Sequence, residues 1–145
     1  MASIGATSGP TATDGGRQAD VELRVPADRA YASVLRTTTA GLAARLDFPI
    51  DDIEDLRIAV GEACAMVLGE AEADGDLVCR FYQDPGELTV EVSTTVDGEI
   101  EPDYDSFAWQ VLATLATSAK AETTDTTFTI SLSMTSSVAH QEPGL

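Results

Sequence analysis

The order of hydrophobic patterns along the chain predicts an α+β fold: a two-layer α/β sandwich, with a mixed sheet of about five strands and three helices on one face. Three observations carry this expectation. Strand-like and helix-like segments follow one another as β-α-α-β-β-α-β-β, and an order that does not alternate strictly implies a mixed or antiparallel sheet. The helical segments each show one apolar stripe, which must be buried against a second layer. The chain has 145 residues, the size of one domain with a single core.

Residues 1–19 are rich in Gly, Ser, Thr and Ala and predict a disordered leader; the domain is expected over 20–135, with 136–145 as a flexible tail. Val21-Glu22-Leu23-Arg24-Val25 alternates apolar and polar residues, a half-buried strand that Pro26 stops. Asp28 is placed to cap the helix that follows. In that helix Tyr31, Val34, Leu35, Leu42 and Leu46 share one face, and Arg29, Arg36 and Arg45 lie off it, at least partly toward solvent. Asp47-Phe48-Pro49 ends the helix, because Pro disfavours helical geometry in the residue before it.

A second helix starts near Asp51 or Asp52 and turns Ile53, Leu56, Val60, Ala63 and Val67 inward. Glu62 lies off that stripe, among Gly61, Ala63, Cys64, Ala65 and Met66, the least polar part of the helix. A carboxylate there serves either as a base or as an anchor hydrogen-bonded to the first helix. Leu77–Tyr82 and Glu87–Val92 flank Gln83-Asp84-Pro85-Gly86 and form a hairpin. An acidic loop spans 95–105, and a third helix from about Asp105 to Ser118 buries Phe107, Val111, Leu112 and Leu115. Lys120–Thr123 and Thr126–Met134 close the fold as a second hairpin.

Charge narrows the partners. The chain carries 8 Lys+Arg against 25 Asp+Glu, a net charge of −17. Nucleic-acid backbones and anionic lipids are bound by clustered bases. Here the one lysine is Lys120, and Asp84 to Asp105 holds eight acids and no base. That argues against direct nucleic-acid binding and favours a basic protein partner, since a field of one sign steers the opposite sign toward it. No apolar run approaches the ~18–20 residues of a membrane span, and the N-terminus lacks a secretory signal, so a cytoplasmic location is expected. Cys64 and Cys79 have neither zinc nor CxxC spacing and are expected as buried hydrophobes. His140 is the single histidine, so no metal site of His type is expected.

The segment Leu56-Arg57-Ile58-Ala59-Val60-Gly61-Glu62-Ala63-Cys64, approached through Asp51-Asp52-Ile53-Glu54-Asp55 and preceded by Val25-Pro26-Ala27-Asp28, resembles the anti-sigma-factor serine kinases of bacteria. These belong to the GHKL, or Bergerat-fold, ATPase superfamily of histidine kinases, gyrase and Hsp90. The resemblance covers about residues 20–135 and implies a kinase fold using ATP and Mg²⁺. Its first motif is a Glu, three residues, then Asn. Glu62 matches the Glu, the base that polarises the attacking hydroxyl, but Met66 stands where the Asn would hold Mg²⁺. Mg²⁺ wants oxygen ligands, which a thioether cannot supply, and phosphoryl transfer depends on that metal.

The second motif, Asp-x-Gly-x-Gly, falls on Thr94 and Val96, with Gly98 alone in place; sliding the frame puts Asp97 on the Asp but Glu99 and Glu101 on both glycines. The third, a Gly-x-Gly-Leu run, is replaced by Asp105-Ser106-Phe107-Ala108-Trp109-Gln110. Trp109 is expected either in the core or as a plug in the vacated nucleotide cavity.

Two functions from different classes follow from the resemblance. The first is a binding protein: an anti-sigma factor that sequesters a sigma factor and is released by an anti-anti-sigma antagonist, with weak or no ATP turnover. Arg29, Arg36 and Arg45 on the first helix, and Glu99 and Glu101 in the strip from Asp97 to Asp103, are its expected partner contacts. The second is an active serine protein kinase that phosphorylates its antagonist, with Glu62 as catalytic base and the nucleotide near Met66, Asp97 and Gly98. The resemblance also allows a homodimer.

Overall fold

The structure, a computed structural model, describes residues 16–138; His140 lies outside them. Strand β1 (Val21–Pro26) leads through a 3₁₀ turn (Arg29–Tyr31) into α1 (Ala32–Arg45) and α2 (Ile50–Leu68). The hairpin β2 (Asp76–Asp84) and β3 (Glu87–Thr95) follows, then α3 (Phe107–Leu115) and the hairpin β4 (Ser118–Thr123) and β5 (Thr127–Thr135). The sheet runs β1-β2-β3-β5-β4, and all four pairings are antiparallel. The sheet expected as mixed is therefore wholly antiparallel. Two of these pairings, β2–β3 and β4–β5, are hairpins; β1 is joined to β2 through α1 and α2, and β3 to β5 through α3 and β4.

Register lines up one apolar face: Leu23, Cys79, Val92, Ile130 and Ala121 form one row across the five strands, and Val21, Phe81, Val90, Leu132 and Ala119 the next. Those rows meet Leu56, Ala59, Val60, Ala63, Cys64 and Val67 of α2 and Leu112 of α3 in a single core. The opposite face carries Arg24, Arg80, Glu91, Ser131 and Lys120, with Glu22 bound to Arg80 at 3.1 Å. Glu91, although on that polar face, is buried and accepts a hydrogen bond from the Tyr82 hydroxyl at 3.2 Å.

Local chemistry explains the element ends. The Asp28 carboxylate caps the 3₁₀ turn, accepting from the Ala30 amide at 2.9 Å. α1 closes in a Schellman arrangement: the Phe48 amide bonds the Ala43 carbonyl and the Asp47 amide the Ala44 carbonyl, both at 3.0 Å. Asp47 takes the left-handed position, φ 64°, that glycine usually fills. Pro85-Gly86 makes the β2–β3 turn, with Gly86 at φ 72°, as a type II turn requires.

Three expectations on burial change. In α1 the wholly buried residues are Leu35, Thr39 and Ala43, whereas Tyr31 and Val34 are exposed. The 3₁₀ turn takes Tyr31 out of the α-helical phase, and Thr39 can be buried because its hydroxyl donates to the Leu35 carbonyl at 2.7 Å. In α3 Leu112 is buried but Phe107, expected inward, is 80% exposed. The expected leader and tail are partly fixed. Arg17 bonds Asp84 at 2.9 Å and Asp20 at 3.1 Å, and the Ser137 amide donates to Asp52 at 2.8 Å.

Candidate functional site

Glu62 and Met66 stand four residues apart on α2, hence on one side of it. Both are half-buried, and among the described residues the Glu62 carboxylate has no hydrogen-bond or ion-pair partner. The anchor to the first helix expected for Glu62 is thus not made. Met66 packs against the core and lines a pocket of about 290 Å³ with Ala65, Ile100, Pro102, Ala108 and Phe128. Glu70, Glu101 and Asp103 stand at its edge.

The loop between β3 and α3 builds the far wall. The Val96 amide bonds the Thr126 carbonyl at 2.8 Å, the Gly98 amide the Asp125 carbonyl at 2.9 Å, and the Ile100 amide the Thr123 hydroxyl at 3.0 Å. Gly98 sits at φ 102°, a conformation that L side chains rarely adopt. The loop is thereby tied to the β4–β5 turn, with Asp97 and Glu99 pointing to solvent. Of the positions expected to bind nucleotide, Met66 alone lines the pocket; Asp97 and Gly98 do not. Of the expected acidic contacts, Glu101 lines it and Glu99 does not.

The start of α3 is closed by its own side chain. Ser106 is the N-cap, and its hydroxyl accepts from the Trp109 amide at 3.1 Å, so that donor does not face outward to a phosphate. Trp109 meets Tyr104 edge-on, centroids 5.0 Å apart, and packs on the core instead of entering the pocket.

On the other flank of α2, Arg29 and Arg36 line a groove of about 550 Å³ with Ala27, Ala32, Gly61, Ala65, Leu68 and Gly69. Arg36, expected at least partly toward solvent, is half-buried and reaches α2: a Cβ on Gly61 would stand 3.4 Å from its Cδ. Arg45 is exposed at the far end of α1, outside this groove. Cys64 and Cys79 are buried free thiols. Burial pushes Cys64 up to about 12 against the pull of Arg36, and raises Cys79 well above the ordinary value, so neither is poised as a nucleophile.

These donors do not fit a magnesium nucleotide. Where the resemblance places the Mg²⁺-holding Asn the side chain is the thioether of Met66, the pocket edge is acidic, and its volume of about 290 Å³ is at the lower limit of ~300 Å³ for small-molecule sites. Among the described residues no group of three His, Cys, Asp or Glu side chains could hold a metal ion, and no helix is long and apolar enough to cross a membrane. Sequence reasoning missed Ile100, Pro102 and Phe128 as pocket residues. Ile100, a lone apolar residue in an acidic run, was the available signal.

The fold and this α2-centred site define a class. Residues 25–106 match the family described as the histidine kinase-like ATPase domain, and the chain belongs to it. Similar curated proteins are serine-protein kinases RsbW. That of Bacillus cereus strain B4264 is 37% identical over 70 residues, 48% of this chain and 38% of the relative. That of Bacillus cereus strain Q1 is 39% identical over 74 residues, 48% of this chain and 46% of the relative. The chain thus spans less than half the length of these relatives. The crystal structure of the RsbU and RsbW domains of Rv1364c from Mycobacterium tuberculosis shares the fold, with TM-score 0.56 and 15% identity over 80% of this chain and 32% of that one.

Proposed function

We propose that the chain is an anti-sigma regulatory factor, which sequesters a sigma factor and is released by an anti-anti-sigma antagonist, with ATP turnover weak or absent. The observation that carries this is Met66: a thioether occupies the metal-holding position on a helix that otherwise keeps the family's form. A glycine-free start to α3 and a loop tied to the β4–β5 turn support it. The net charge of −17 suits a partner whose promoter-binding surface is basic, and gives fast, salt-sensitive association.

The test pairs capture with chemistry. Purified chain is presented with the sigma factors of its own cell, at about 50 mM and then 500 mM salt, and separately with labelled ATP·Mg²⁺ and candidate antagonists. Salt-sensitive capture of one sigma factor without phosphate transfer supports the proposal. Phosphorylation of an antagonist serine, abolished by Glu62→Ala, overturns the claim of weak turnover. It would establish the second reading, an active serine kinase, which the half-buried and unpartnered Glu62 favours.

A further inference from the structure

We infer that the Met66 pocket, in place of a nucleotide, receives an arginine side chain from a basic segment of the protein partner. This rests on the reading of the chain as a partner-binding protein and names the surface that does the binding.

The floor is apolar, formed by Met66, Ile100, Pro102 and Phe128, and fits the methylene stem of a long side chain. The edge bears Glu70, Glu101 and Asp103, all exposed and, among the described residues, without an ion-pair partner; no base lines the pocket. Three carboxylates around an apolar floor repel a polyphosphate and attract a cation that brings its own apolar stem.

A second feature adjoins this edge. Phe107 follows the pocket residue Ser106 and is 80% exposed, although Phe48, Phe81 and Phe128 are all buried. Tyr104 is 52% exposed and its ring is braced edge-on by Trp109. Exposed aromatic rings beside an acidic edge stack on a planar guanidinium, and this favours arginine over lysine. Exposed aromatics are also the residues that anchor protein interfaces.

The probes are butylguanidinium, which copies the arginine side chain, and butylurea, its uncharged counterpart, titrated into the full chain. Methyl NMR reads Met66 and Ile100 at the pocket and Ile58 on the exposed side of α2 as control. Butylguanidinium should shift Met66 and Ile100 saturably in the millimolar range, leave Ile58 in place, and bind about tenfold tighter than butylurea. Exchanging the edge charges (Glu101→Gln with Asp103→Asn) should weaken it roughly fivefold while the remaining methyl spectrum stays native.

Equal response to both probes, shifts confined to other methyls, or binding indifferent to the edge substitutions would overturn the inference. So would saturation of the pocket by ATP·Mg²⁺ at lower concentration than butylguanidinium. Concentration-dependent broadening at Met66 that Phe107→Glu removes would identify a second copy of the chain as occupant, and overturn it too. Sigma capture without pocket shifts defeats this inference alone; pocket shifts without sigma capture defeat only the function proposed above.

Discussion

The two flanks of α2 share a helix and even a residue, Ala65, yet they offer opposite chemistry. Toward α1 lies a groove with two guanidinium groups over small residues; toward α3 lies a smaller pocket edged by three carboxylates. α2 and the turn after it contribute Ala65 to both flanks and Glu70 to the pocket, and most of the contrast is set elsewhere. It comes from what the neighbours bring: Arg29 and Arg36 from one side, Glu101 and Asp103 from the other. A scaffold that keeps its buried face can thus change what it binds by exchanging residues on adjoining elements. Separated charges of both signs also fix the orientation of a partner, since a rotated complex would oppose like charges.

The largest effect should follow from breaking what the flanks share. Leu56 is wholly buried in the α2 core, so Leu56→Ala should cost about 3 kcal/mol, read by urea unfolding, with groove and pocket melting together. If one flank survived alone, they would not be parts of one cooperative unit.

Alkaline pH tests the buried thiol beside the groove. Cys64 holds its proton up to about 12, above its ordinary value of 9.0, so the folded state binds that proton more tightly than the unfolded chain. The contribution is therefore full below pH 9 and is lost as pH rises toward 12. The urea midpoint should fall across that window, and Cys64→Ala should flatten the fall.

On the pocket flank alone, Ser106→Ala removes the cap of α3 and should cost about 1 kcal/mol. Amide exchange at Trp109 should accelerate while Arg36 and Gly61 keep their protection. The smallest effect belongs to the groove. Gly61→Ala replaces a helical glycine where the new Cβ meets only the flexible Arg36 side chain, and should stabilise by about 0.5–1 kcal/mol. A loss instead would mean that Arg36 cannot yield, and that its place against α2 is held more tightly than the contact implies.

Much of the α2 scaffold was legible beforehand because its signals are local. The apolar stripe from Ile53 to Val67 is read from helical periodicity and the hairpin from Pro85-Gly86. The pocket was not legible, because its walls come from Ala65, Met66 and Glu70 around the end of α2, from Ile100 to Asp103 of the acidic loop, from Ser106 and Ala108 at the start of α3 and from Phe128, which only folding brings together. The contacts expected of Arg29, Arg36 and Arg45 as a set divide for the same reason: two share a groove and the third stands apart.

By itself the sequence determined the type and order of the elements, the single core, the acidic character and the residue at each motif position. These depend on neighbours along the chain and on side-chain chemistry. Tertiary structure alone decided that β5 lies between β3 and β4, that Leu35, Thr39 and Ala43 take the inner face of α1, and that Phe107 faces solvent. Periodicity says which residues share a face, but only packing against distant elements settles which face is covered, and so which side chains remain to meet a partner.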